Sequence, residues 1–284
     1  MSTWLGLVIV FGAVLGGFAM EGGPFPVLIQ PSELVVIGGS AVGTLVIMAP
    51  GKIGKRITHA LGIGFKGTMP TDDDYKELLK LLFHLFQVIR REGVLGMEAH
   101  IESPAESTIF KQYPRVTARH HAIEFLCDGL RQLVDGCAVS ELSLLLDAEM
   151  ETHHEQEHQP VALLKTVGDS LPGLGIVAAV LGIVITMGHM DGGPEEIGHH
   201  VAAALVGTFL GILLCYGMLA PIATGIENKA AAEHRYLLAI REGILAAARG
   251  NNPQLSIEFA RRSIFSDERP TSKELAELVA GIKG

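Results

Sequence analysis

The chain has 284 residues, of which 48% are apolar and only 19% charged, with a net charge of -9 and a mean hydropathy of +0.36. Soluble domains carry about 25% charged residues, so the composition argues against a uniformly globular soluble chain. The acidic balance argues against a nucleic-acid binder, which needs a basic face.

The placement of Lys and Arg is more informative than their number. Thirteen lie between Lys52 and Lys165, nine between Lys229 and Lys283, and none in 1–51 or 166–228. Basic residues excluded from two long apolar stretches mark a membrane protein with cytoplasmic parts. The three cysteines, Cys127, Cys137 and Cys215, have no close spacing and form no disulfide framework. The N-terminus lacks the basic start and the small-residue cleavage site of a signal peptide.

In chain order, residues 1–20 carry no charge and form the first predicted membrane helix. A loop, 21–33, has no Lys or Arg. Residues 34–51 form the second span, uncharged between Glu33 and Lys52. Lys52, Lys55 and Arg56 follow at once and place the next block in the cytoplasm.

That block, 52–167, is expected to be a helical cytoplasmic domain. Tyr75–Arg91 crowds its apolar residues on one face, with Asp72–Asp74 as acidic start and cap and Gly93 as stop. Ser103 and Pro104 read as the cap and first turn of another helix. His120–Leu133 and Ser140–His154 read as amphipathic helices.

The third span, 168–190, and the fourth, 199–226, flank a short loop, 191–198. The loop also lacks Lys and Arg. The cytoplasmic tail, 227–284, carries a helix at about 226–249 and another from near Ser272. The fold class is therefore an all-α integral membrane protein with four spans, a helical cytoplasmic domain and both termini cytoplasmic.

Spans three and four hold the chemistry. Pro172 cannot bond back to Gly168, nor Pro221 to Gly217. Each freed carbonyl needs water, a hydroxyl, an ion or protein packing, because lipid offers nothing. Thr186, Thr208, Tyr216 and Thr224 are hydroxyls that either line a polar path or bond to their own helix. Glycines at small-xxx-small spacing, Gly12–Gly16 and Gly207–Gly211 among them, let backbones approach closely.

The uncharged cores of the four spans, 1–20, 34–51, 170–190 and 197–226, hold no Asp, Glu, Lys or Arg. Ion pathways use such groups, so a titrating group is expected from another chain. His189, His199 and His200 read as interfacial, and His153, His154 and His158 lack a zinc spacing. No metal, cofactor, nucleophile–base constellation or catalytic residue is expected.

The segments GDSLPGLGIVAAVLG (168–182) and VGTFLGILLCYGMLAPIAT (206–224) closely resemble the MotA family of flagellar motor stator subunits. The resemblance extends through QPSELVVIGG (30–39), IESPAESTIFKQYP (101–114) and SIEFARRSIFSDERP (256–270), covering nearly the whole chain. It implies a bacterial inner-membrane ring, typically a homopentamer, around two MotB-like subunits whose membrane Asp carries the proton. It implies rotation against the rotor protein FliG, with Pro172 and Pro221 coupling ion passage to the cytoplasmic helices. Thr208 and Tyr216 match positions near the ion path, with Thr186 a further hydroxyl there. Arg90 and Glu98 match the charged rotor-facing pair, and Glu149 a further acidic position. Sodium-driven relatives carry Thr where this chain has Ala179, which favours protons as the transported ion. An ExbB/TolQ-type envelope complex, a sodium-driven stator and a non-conducting membrane scaffold are the alternatives.

Overall fold

The computed structural model describes residues 2–188 and 193–282. Of His199, His200 and residues 194–197 only the backbone is described, so the interfacial reading of His189, His199 and His200 lies outside the described side chains. The described residues are helical and divide into two compact units: residues 1–68 with 156–229, and residues 69–155 with 230–284. Four helical stretches are long and apolar enough to cross a membrane, within Thr3–Met20, Phe25–Met48, Val139–Met187 and Val201–Ala248.

The first unit begins with α1 (Ser2–Met20), the single turn α2 (Phe25–Leu28) and α3 (Pro31–Met48). Its next helix, α4 (Lys52–Lys66), is amphipathic, with Ile57 and Ala60 buried and Lys52, Lys55 and Arg56 exposed. The C-terminal carbonyls of α4 are satisfied from other helices. The Lys229 ammonium donates to Ile63 O and Gly64 O, both at 2.8 Å, and the Thr3 hydroxyl to Gly64 O at 2.9 Å.

The second unit is built on α5 (Asp72–Glu92). The expected cap at Asp72–Asp74 is instead Thr71, whose hydroxyl accepts from the Asp74 N–H while the Asp74 carboxylate accepts from the Thr71 N–H. This capping box works because Asp74 falls at the third helical position. Gly93 ends α5 at φ 78°, a conformation costly for any other residue. Tyr75 is fully buried, as are Leu78, Leu79, Leu81, Leu82 and Leu85, each of these leucines contributing about 1.5–3 kcal/mol.

A short 3₁₀ turn, Val94–Met97, leads to α6 (Glu98–Glu102). The helix expected from Pro104 is absent. Residues 104–106 form a turn, and the Ser107 hydroxyl accepts the N–H groups of Ile109 and Phe110. That turn is what brings Ile109, Phe110 and Tyr113 into the core. Next come α7 (Pro114–Thr117) and α8 (His120–Val134).

The 49-residue α9 (Val139–Met187) is one continuous helix through Pro160 and Pro172. The expected cytoplasmic helix 140–154 and the third span are therefore parts of the same element. Likewise α10 (Gly193–Leu214) passes through a π-helical stretch, Cys215–Leu219, directly into α11 (Ala220–Ala248). Two short helices close the chain. α12 (Pro253–Arg262) was not expected from sequence; it starts at Asn252, whose side chain accepts the Leu255 N–H. α13 (Ser272–Ala280) has a second capping box, Thr271 with Glu274.

Candidate functional site

In the first unit, α9 and α10 meet backbone to backbone. A β-carbon built on Gly211 would stand 2.5 Å from the Leu171 carbonyl oxygen and 3.0 Å from Gly175 Cα. One built on Gly175 would stand 2.7 Å from the Gly207 carbonyl oxygen. Only glycine permits this approach. The crossing lies beside Pro172, and Leu171, whose carbonyl faces Gly211, is the residue before that proline.

Around this crossing, Ala178 and Ala179 are buried, and the Ala179 side chain has no oxygen to offer. Thr186 is buried too, and its hydroxyl donates to the Gly182 carbonyl of its own helix at 2.8 Å. Thr208 is half-buried, its Cα 3.2 Å from the place a Gly175 β-carbon would take. Tyr216 is 67% exposed and points away from the unit's interior. Pro221 is exposed, two residues beyond the π-helical stretch. A π stretch inserts an extra residue into the turn and shifts the hydrogen-bond ladder; here it accompanies a proline that cannot donate. No sequence signal other than Pro221 announced it.

Toward the chain's basic segments, these helices are tied by an ion pair between Lys165 on α9 and Glu227 on α11, at 2.6 Å. One carboxylate of this unit was missed as a site residue. Glu33, read from sequence as the end of a loop, lies in the first turn of α3 and is only 7% exposed. Ile37 and Ala41, four and eight residues on, are the other buried residues of α3. That i, i+4, i+8 spacing was the available signal.

In the second unit, Arg90 is exposed in the last turn of α5 and lines an open groove of about 950 Å³ together with Arg91, Asn252 and Glu258. Glu98 is exposed at the start of α6, beyond the Gly93 turn. Neither has an ion-pair or side-chain hydrogen-bond partner among the described residues, so both charges are available to another molecule. Glu149 on α9 is half-buried beside Asp128 of α8. Burial, and then the Asp128 charge, hold its carboxyl above the ordinary range. Elsewhere Arg119 bridges Asp74 and Glu233, both at 3.1 Å, tying α8's entry to α5 and α11.

Long apolar helices joined through glycine backbones, with proline inside the helices and a π stretch between α10 and α11, define an integral membrane protein. The comparisons with known proteins agree. The N-terminal motility protein A model matches residues 4–93, and the MotA/TolQ/ExbB proton channel family model matches residues 118–237. Motility protein A of Escherichia coli (strain K12) is 40% identical over 100% of this chain and 96% of its own length. Among solved structures, the flagellar MotAB stator complex from Bacillus subtilis aligns with a TM-score of 0.78 at 26% identity, covering 94% of this chain and 98% of that one. The C. jejuni MotAB structure aligns at 0.80 and, at 22% identity, supports the fold alone. The chain belongs to the MotA/TolQ/ExbB proton channel family, as a flagellar motor stator subunit of the motility protein A type.

Proposed function

We propose that five copies of this chain surround two copies of a MotB-like partner, whose membrane Asp carries protons from outside to the cytoplasm. In this reading the passage turns the ring against the rotor protein FliG. The observation that carries it is the α9–α10 crossing, where Gly175 and Gly211 bring the two backbones together beside Pro172, with Pro221 following on α11. Neither α9 nor α10 carries Asp, Glu, Lys or Arg between residues 170 and 188 or 201 and 214, so these two helices respond to a partner's change of charge instead of supplying one.

The energy is sufficient. One charge crossing 100 mV releases about 2.3 kcal/mol, and a shift between two subunit positions is limited by that differential. Pro172 and Pro221 are the coupling points. Thr186, Thr208 and Tyr216 flank the ion path. Protons rather than sodium are the driving ion, because the Ala179 side chain supplies no coordinating oxygen. The topology is N-in and C-in within the bacterial inner membrane, supported by the absence of Lys and Arg from 21–33 and 191–196.

Arg90, Glu98 and Glu149 face the rotor. A charge at such a contact steers and sets register more than it adds affinity, which suits repeated engagement and release. Arg90→Glu at low expression is expected to impair swimming, and a compensating charge on the rotor to restore part of it. Normal swimming of Arg90→Glu would remove the assignment. Swimming speed that follows external sodium at fixed pH and survives a protonophore would replace protons with sodium.

A further inference from the structure

Glu33 has an environment that the stator reading does not use. It sits in the candidate span Phe25–Met48, 7% exposed, with Oε2 buried and unpartnered. Its carboxylate enters a groove that only small residues leave open. A β-carbon on Gly207 would collide with Glu33 Oε2, and one on Gly182 would lie 3.7 Å from Oε1. Ala204 stands at the same Gly182 position and Ala178 at that of Gly207, closing the groove from α10 and α9. One carboxylate thus touches both spans of the working pair.

We propose that Glu33 is a proton-binding site of the membrane unit, exchanging its proton with water at the start of α3. Ala204 and Ala178 bring no charge to the carboxylate, so its ionised form has no counter-charge there, and a bound proton removes the charge. A metal cation such as sodium would need several oxygen ligands, and the neighbouring side chains of Ala178 and Ala204 supply none. The Thr186 hydroxyl is already committed to Gly182 O. Opposing the burial is the location. Glu33 is in the first turn of an 18-residue helix, where exposed N–H groups stabilise a carboxylate. Burial favours the protonated form and the helix start favours the ionised one, so the group exchanges its proton instead of staying locked in one form.

When protonated, the carboxyl seats against Gly207 and Gly182. When ionised, it withdraws toward the N–H groups of α3, and the groove between α3, α9 and α10 empties. No charged or titratable side chain of α9 or α10 faces Glu33 among the described residues. Glu21, in the turn just after α1, is exposed. His189 and Asp191, and the side chains of Glu195, Glu196, His199 and His200, lie outside the described set. The site is formed within this one chain and does not depend on which partner or rotor the complex uses.

The test is pH-difference infrared spectroscopy on the full chain, purified with its partner and reconstituted in lipid. The expected result is a protonated carboxyl C=O band that titrates with pH and is lost in Glu33→Gln. Glu33→Asp, one methylene shorter, keeps a carboxyl band with a displaced midpoint, and it serves if Glu33→Gln does not assemble. A difference spectrum unchanged by Glu33→Gln overturns the proposal. So does a Glu33 band that stays constant across the whole pH range. A band that responds to sodium at fixed pH, but not to pH without sodium, overturns the proton assignment in favour of a cation site.

Discussion

Leu82 and Gly211 mark the two ways this chain uses a single side chain. Leu82 is fully buried in the second unit, and a β-carbon on Gly243 of α11 would stand 3.2 Å from its Cδ1. Leu82→Ala removes contacts on all sides and is expected to cost about 2–5 kcal/mol, read as a lower thermal midpoint in detergent. Gly211 works by having no side chain. Gly211→Ala forces α9 and α10 apart and is expected to cost about 1–3 kcal/mol. Less protein in the membrane fraction and a smaller swim halo are the readouts. Gly43→Ala, with open space around its β-carbon, is the control and should behave as wild type. The apolar face of α5 was legible in sequence, because its period alone separates the buried leucines from Lys76, Glu77 and Lys80. The role of Glu33 was not. Along the chain it is one acidic residue beside a loop, and only the glycines of two distant helices turn it into a buried group.

Three helices of the second unit bring histidines together. His121 on α8 and His153 on α9 stack with ring centroids 3.9 Å apart, and His154 lies 5.4 Å from His234 of α11. Burial first, then the neighbouring His121, His234 and His154, push His153 down from 6.5 to about 4. His234 is lowered as well, by burial, His154 and Arg235, with Glu151 opposing. A histidine with a depressed value in the folded state favours the fold only while neutral. Its contribution is complete above about pH 6.5 and is lost as pH falls from there toward 4. The thermal midpoint should therefore drop over that window, and His153→Gln should flatten the drop; an unchanged slope would assign it to other groups. From sequence His153 and His154 showed only the lack of a zinc spacing, since His121 and His234, which meet them, are far away in the chain. The continuity of α9 was hidden for another reason. Pro160 and Pro172 are helix breakers in a local reading, and only packing of the long helix on its neighbours overrides them.

For the whole molecule, the first unit leaves much apolar surface uncovered. Val46 and Ile47 of α3 are 69% and 83% exposed, and Ile176, Val180 and Val184 form an exposed stripe on α9. Lipid or other subunits must cover these faces. The expectation is five copies of this chain with two of its partner by native mass spectrometry in mild detergent; a monomer with intact partner binding would contradict the ring. The division of the chain into spans was legible from charge alone, while the partition into two compact units was not, because each is assembled from two separate stretches. The glycine crossing of α9 and α10 carries one more consequence. Interlocked side chains must change rotamer before two helices can slip, and the second unit's leucines are interlocked in that way. At Gly175 and Gly211 smooth backbone meets smooth backbone, with no teeth to disengage. Such a contact can serve as a bearing, holding two helices close in one direction while leaving no side chains to unlock along the other.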